Sequence, residues 1–256
     1  MSNPGAFQQV AEVYRSSRKE RDIFWNIYVA RPLAAVVVHI LRKTPMTPNQ
    51  VTFLGFGVFL ASMVVLVAWP GWHGFLAAAA VLEGSYLLDC ADGQLARIKG
   101  MTSDVGAYLD FFIDEVKALL LVAAMAANRW VVLGDDRWLL VGIGGVVLVA
   151  AGTSLTTFIR RPEYAGTAVK PGLPVVQAAP AGLIPKVRWI VERFLRWIVH
   201  YPSWFIYIAL LDGLDGVDGV MAFLVLYLGT YLLYVGRTSL AVLLRLGRPS
   251  FYSEGA

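Results

Sequence analysis

The sequence predicts an all-α, polytopic integral membrane protein with six transmembrane helices and an N-terminal interfacial amphipathic helix. Three observations carry that prediction. The 256-residue chain is 57% hydrophobic and 16% charged, and its mean hydropathy of +0.61 lies outside what soluble domains reach. Several windows of about 20 residues hold few charges, the length a helix needs to cross a bilayer. Lys and Arg gather between those windows and mostly on alternate connections. The chain divides into an N-terminal cytoplasmic and interfacial segment (1–48), a spanning domain (49–246) and a tail (247–256).

Residues 1–20 are polar, with Asn3, Gln8 and Gln9 and no early apolar core, so no cleavable signal peptide is expected. From Arg21 to Arg42 the apolar run is interrupted by Asp22, Asn26, Arg31 and Pro32. That pattern suits a helix lying on the bilayer, with Trp25 and Tyr28 at headgroup depth. Thr47 is placed to cap the first span, with Pro48 at its first helical position. The spans follow at 49–69, 74–98, 104–128 and 138–159. Pro70-Gly71-Trp72-His73-Gly74 makes a tight interfacial turn between the first two, flanked by belt tryptophans. Residues 129–137 make a short polar loop. A proline-rich segment, 160–186, leads into an amphipathic stretch at 187–199, where Arg188, Glu192, Arg193 and Arg196 recur among Trp189, Phe194 and Trp197. The fifth span includes 203–211 and borrows from what precedes it. Asp212, Asp215 and Asp218 sit in the next loop, and the sixth span runs over 220–246.

Orientation follows from the basic residues. With the N-terminus in the cytoplasm, 18 of the 22 Lys and Arg fall on inside loops and ends, as the positive-inside rule demands. Both termini are then cytoplasmic. The net charge of +4 follows this topology and points to anionic lipid and phosphorylated substrates, not to nucleic acid. One cysteine, Cys90, excludes an intrachain disulfide, and three scattered histidines give no zinc site.

The chemistry concentrates between Asp89 and Asp114. Asp89 and Asp92 are three residues apart; Asp110 and Asp114 are four apart. On helices each pair shares one face. Lys99, Gly100 and Thr102 make the connection turn-like, so the two helices run antiparallel with both pairs near one end. Four carboxylates converging at membrane depth repel one another unless cations lie between them. All-oxygen donors favour Mg²⁺ or Mn²⁺, and two such ions suit a pyrophosphate substrate and a hydroxyl nucleophile. Glu83 and Lys117 fall at neighbouring depths, where a pair would satisfy both unless the cavity solvates either.

The stretch resembles the signature of the CDP-alcohol phosphotransferase family, D-x2-D-G-x2-A-R-x8-G-x3-D-x3-D. Asp89, Asp92, Gly93, Ala96, Arg97, Gly106, Asp110 and Asp114 fill every fixed position. The resemblance implies a transferase in which an acceptor alcohol displaces CMP from a CDP-linked donor, CDP-diacylglycerol foremost, in phospholipid biosynthesis. It implies that Asp89, Asp92, Asp110 and Asp114 ligate two divalent cations, and that Asp114 is also the general base. Gly93 and Ala96 let the nucleotide approach the helix backbone. Arg97 binds donor phosphate or anchors the cytoplasmic end. Gly106 lets the third span pack closely on the second. Asn49 and Thr52, in a Pro-Asn-x-x-Thr sequence, face the nucleotide or serve the helix start. A homodimer in the cytoplasmic membrane, its active site toward the cytoplasm, is also implied.

The acceptor is less legible. Phe111-Phe112 follow Asp110 where choline- and ethanolamine-transferring members carry His-Gly. The Pro and the Ala-Asp-Lys of phosphatidylglycerolphosphate synthases are missing. Glu115 stands where inositol-phosphate-transferring members often have Arg. Arg237, ~13 Å from the end of the sixth span, approaches the limit of easy snorkelling and is expected to face a cavity. With Arg160 and Arg161 it offers a site for a phosphorylated polyol such as inositol phosphate or glycerol phosphate, the latter two serving equally well as anchors. Other readings are a synthase joining soluble polyol phosphates, serine or inositol as acceptor, and, in another class, a divalent-cation transporter. The transporter reading gives no reason for Gly93, Ala96 and Arg97.

Overall fold

The computed structural model describes residues 5–17, 25–166, 182–199, 202, 205–214 and 216–247. Among them every regular element is helical. Five helices are long and apolar enough to cross a membrane: Pro48–Ala68 (α3), Trp72–Lys99 (α4), Asp104–Leu133 (α5), Arg137–Ile159 (α6) and Gly219–Leu246 (α10). The other helices are Ala6–Ser17 (α1), Arg31–Leu41 (α2, continuing from a π-helical turn at Asn26–Ala30), Pro162–Ala165 (α7), Leu183–Val199 (α8) and Phe205–Leu211 (α9). The protein is therefore a polytopic α-helical membrane protein. The expected fifth span falls on α9, which has 7 residues, too few to cross a bilayer by themselves. Its upstream part, including His200, Ser203 and Trp204, lies outside the described residues, as do Arg21, Asp22, the segment 167–181, Asp215 and the tail from Arg248.

The chain forms two compact units, 1–117 with 200–219, and 118–199 with 220–256. In the first, α3 and α4 run antiparallel. Their axes approach closely because polar groups on one helix find backbone on the other: Ser62 Oγ donates to the Ala78 carbonyl and Ser85 Oγ to the Gly55 carbonyl, each at 2.7 Å. The α3 start is fixed by a capping box. Gln50 N–H donates to Thr47 Oγ1 at 3.4 Å, and Thr47 N–H donates to Gln50 Oε1 at 2.9 Å. The turn into α4 requires glycine twice: Gly71 has φ +94°, and a Cβ on Gly74 would lie 1.5 Å from the Trp69 carbonyl oxygen. At the other end of α4, Gly100 (φ +64°) closes the helix while Met101 N–H returns to the Ala96 carbonyl at 2.8 Å.

The N-terminal helices are packed into the first unit. Val13 of α1 and Ala34, Ala35 and Val38 of α2 are buried in one cluster with Val51, Cys90, Ala91 and Leu95. Cys90 is thus a packing residue. Leu33, Val36 and Ile40 on the opposite side of α2 are exposed, the division expected of an amphipathic helix. Tyr86 OH donates to Asn26 Oδ1. Trp25 packs edge-on against Tyr207, and Phe75 against Phe205.

In the second unit, α5 and α6 are antiparallel and α6 and α10 parallel. Small residues set their separation. A Cβ added at Gly142 would meet Ala126 at 2.9 Å, one at Gly145 would meet Val122 at 2.6 Å and Leu228 at 3.1 Å, and one at Gly152 would meet Tyr231 at 2.8 Å. Thr156 and Tyr234 hydroxyls bond at 2.7 Å along the same seam. The helix expected to end at 128 continues to Leu133. Asn128 and Arg129 are both buried, and Arg129 donates through Nε and Nη2 to Asn128 Oδ1 at 3.0 and 2.7 Å. Pairing removes the cost that marks polar residues as loop.

Candidate active site

The carboxylates come from α4 and from the first part of α5, whose antiparallel run follows from the short connection at Gly100. Asp89, Asp110 and Asp114 bring carboxylate oxygens to within 4.8 Å of one another. That spread matches oxygens on the shell of one cation bound at about 2.0–2.6 Å, and the donor set is hard, so the three residues fit a divalent ion. Asp114 is the open member, its side chain 55% exposed against 19% for Asp89.

Asp92 stands apart from that triad. It is buried, and its Oδ2 accepts a 2.6 Å hydrogen bond from Thr52 Oγ1. Thr52 also donates to the Pro48 carbonyl at 3.2 Å, so α3 and α4 are tied together at the motif. Asn49, one turn earlier and exposed, lies beside Gly106: a Cβ there would meet Asn49 Oδ1 at 3.5 Å and Ser103 Oγ at 3.2 Å. Gly106 thus gives close approach to the start of the first span, where the sequence suggested the second.

Lys117 departs from the pairing with Glu83 that depth suggested. Its ammonium donates to Asp89 Oδ1 at 2.6 Å and to Asp114 Oδ1 at 3.2 Å. A cation already stands on two of the three clustered carboxylates. Lys117 was legible as a neighbour of Asp114, since residues three apart share a helix face.

Arg97 folds back along α4, its Nη1 and Nη2 at 3.6 and 3.9 Å from a Cβ built on Gly93. Its Nε donates to the Ser17 carbonyl at 2.8 Å. Gln94 Nε2 donates to the Arg31 carbonyl at 3.0 Å, and Lys99 Nζ to those of Thr44 and Met46, each at 2.7 Å. The motif end of α4 is therefore strapped by backbone carbonyls of residues 17–46. Sequence reasoning missed this strap, because a main-chain acceptor has no side-chain signature. Ala96, half-buried, supplies the carbonyl that closes the helix.

Arg160, Arg161 and Arg237 belong to the second unit. Arg160 follows Thr156 by one turn on α6, and Arg237 follows Tyr234 by nearly one turn on the parallel α10. The Thr156–Tyr234 bond therefore brings Arg160 and Arg237 to one level of that unit. Arg160 is half-buried; Arg161 and Arg237 are exposed.

Comparison with known proteins gives a consistent picture. The sequence profile of the CDP-alcohol phosphatidyltransferase family matches residues 45–206. The inner membrane protein YnjF of Escherichia coli strain K12 is 31% identical over 144 residues, 53% of this chain and 65% of that one. A phosphatidylinositol phosphate synthase of Corynebacterium glutamicum is 28% identical over 145 residues, 56% of this chain and 64% of its own. An archaetidylinositol phosphate synthase of Pyrococcus horikoshii is 29% identical over 128 residues, 50% and 61% of the two chains. The chain spans less than two thirds of the length of these relatives.

Proposed function

The chain belongs to the CDP-alcohol phosphatidyltransferase family, and we propose that it transfers a phosphatidyl or other substituted phosphoryl group from a CDP-linked donor to an acceptor alcohol, releasing CMP. The observation that carries this reading is the convergence of Asp89, Asp110 and Asp114 within 4.8 Å, on helices holding every fixed residue of the family signature. CDP-diacylglycerol is the donor we favour and a phosphorylated polyol the acceptor. The names of two relatives support inositol phosphate in particular.

Asp89, Asp110 and Asp114 would hold one divalent cation, Mg²⁺ or Mn²⁺, and Asp92 would contribute to a second. Such ions supply positive charge to the pyrophosphate and to the attacking hydroxyl. The residues of the chain do the rest. Asp114, the open member, takes the proton of the acceptor hydroxyl. The acceptor oxygen bonds the lipid-side phosphorus, the bond to the bridging oxygen breaks, and that oxygen leaves with CMP. Gly93 and Ala96 leave the α4 backbone open to the nucleotide, with Asn49 and Thr52 on its far side. Arg97 turns to the donor phosphate. Arg160, Arg161 and Arg237 hold the acceptor phosphate. The site faces the cytoplasm, both termini are cytoplasmic, and the enzyme is a homodimer.

The test is CMP release in detergent with Mg²⁺ or Mn²⁺ from CDP-diacylglycerol and glycerol phosphate, inositol phosphate, inositol or serine. Release with a phosphorylated polyol is expected, and Arg237→Gln should raise the KM of that acceptor about tenfold with donor KM nearly unchanged. No release with any acceptor would sink the transferase reading and reopen cation transport. Serine turning over where phosphorylated acceptors do not would overturn the role of the three arginines.

A further inference from the structure

Lys117 has no place in the family signature, yet it makes a 2.6 Å contact to the acidic cluster. It lies on α5, one turn beyond Asp114, and is 5% exposed. Its ammonium donates to Asp89 Oδ1 at 2.6 Å and to Asp114 Oδ1 at 3.2 Å. Those carboxylates are two of the three whose oxygens lie within 4.8 Å of one another. A divalent ion bound by the three would claim the same carboxylates.

We propose that Lys117 is a positioning residue for the cation site, a tethered counter-cation that competes with divalent ions for Asp89 and Asp114. The inference rests on the reading of Asp89, Asp110 and Asp114 as cation ligands. Without a metal, the ammonium holds α4 and α5 together across carboxylates that would otherwise repel. When a divalent ion binds, the ammonium gives up at least one of its two partners. Its four-carbon stem and three donors let it move to another oxygen of the same carboxylates. The lysine thereby sets how strongly the empty enzyme holds metal, and keeps the cluster assembled while metal is absent.

Removing a unit charge from within ~4 Å of a divalent ion changes its binding by more than tenfold even in a water-like dielectric. The experiment is Mn²⁺ binding to the full chain in detergent, read by electron paramagnetic resonance of free Mn²⁺, with thermal midpoints recorded in EDTA and in saturating Mn²⁺. Lys117→Met should bind Mn²⁺ at least about tenfold more tightly than wild type. Its midpoint should fall in EDTA and recover in Mn²⁺, so that the metal-induced rise exceeds that of wild type. Lys117→Arg keeps the charge and should bind Mn²⁺ within about threefold of wild type. It also serves where Lys117→Met does not fold: tenfold tighter binding by Lys117→Arg would overturn the proposal. Equal Mn²⁺ affinity in wild type and Lys117→Met, or a midpoint lowered equally with and without Mn²⁺, would mean a purely structural lysine. Mn²⁺ binding by none of the three proteins would instead remove the metal site and this inference with it. Binding by Lys117→Met alone would support the competition in its strongest form.

Discussion

The two units of the chain bring their long helices together by different means. In the first, polar side chains inside the helices reach specific partners: Thr52 to Asp92, Ser85 to the Gly55 carbonyl, Gln94 to the Arg31 carbonyl, Lys117 to two carboxylates. In the second, α5, α6 and α10 meet through Gly142, Gly145 and Gly152, with Val122, Ala126, Leu228 and Tyr231 filling the space above each missing side chain. Hydrogen bonds fix the direction of a side chain, while a glycine seam fixes the distance between two helices. The bonds of the first unit thereby hold the atoms of the proposed site in place. The glycine seam of the second unit, away from Arg160, Arg161 and Arg237, holds helices together, and a change in that seam should be felt in stability before it is felt in turnover.

Neutralising a clustered carboxylate attacks this contrast at its strongest point. Asp114→Asn removes a proposed metal ligand and proton acceptor at once, while keeping size and leaving Lys117 its bond to Asp89. CMP release should fall by about 10²–10⁴-fold, with the variant still monodisperse on size exclusion. Asp89→Asn should behave likewise. Turnover within a factor of a few of wild type in both would deny the first unit its chemical role.

The glycine seam provides the reverse experiment. A methyl group at Gly145 would stand 2.6 Å from Val122 Cγ1, closer than real contacts allow, and 3.1 Å from Leu228 Cδ2, so the helices or those side chains must shift. Overpacking of this kind costs about 1–3 kcal/mol. Gly145→Ala should lower the thermal midpoint by several degrees while CMP release per folded molecule stays near wild type. A variant of unchanged midpoint but lost activity would show that this seam serves the chemistry more directly than its composition implies.

Much of this was open to sequence reasoning, for identifiable reasons. The limits of α3, α4, α6 and α10 fall within two residues of expectation because the signals are chemical: a capping box at Thr47, glycines at 71 and 100, apolar runs of spanning length. The carboxylates were legible because spacings of three and four mean one helix face. What stayed hidden depends on pairing. Arg129 read as loop until Asn128 was seen to accept from it. Lys117 was matched to Glu83 by depth, although the nearer partner on its own helix, Asp114, was three residues away. The strap from Ser17, Arg31, Thr44 and Met46 is made of carbonyls, which every residue has, and no pattern marks the ones in use. The bond from Thr52 to Asp92 was hidden too, since no spacing links a residue of α3 to one of α4.

The finest discrimination comes from two threonines, one in each unit, each bonded across a helix pair. Thr52 donates to the buried Asp92 at 2.6 Å, and Thr156 shares a 2.7 Å bond with Tyr234. Valine replaces either with nearly the same shape. The bond to a carboxylate is worth about 1.5–3 kcal/mol, and its loss frees Asp92 to turn away from the direction Thr52 imposes. Thr52→Val should therefore reduce kcat about tenfold, a loss of ~1.4 kcal/mol in the barrier, with donor KM changed less. The bond between two hydroxyl groups inside a membrane averages about 0.6 kcal/mol, and Thr156 keeps no proposed part in catalysis. Thr156→Val should shift the midpoint by a degree or two and leave kcat within a factor of two of wild type. Measured side by side, the pair weighs the two kinds of seam on one scale. If Thr156→Val loses turnover as steeply as Thr52→Val, the division between a seam that serves chemistry and a seam that serves packing fails at its most sensitive test.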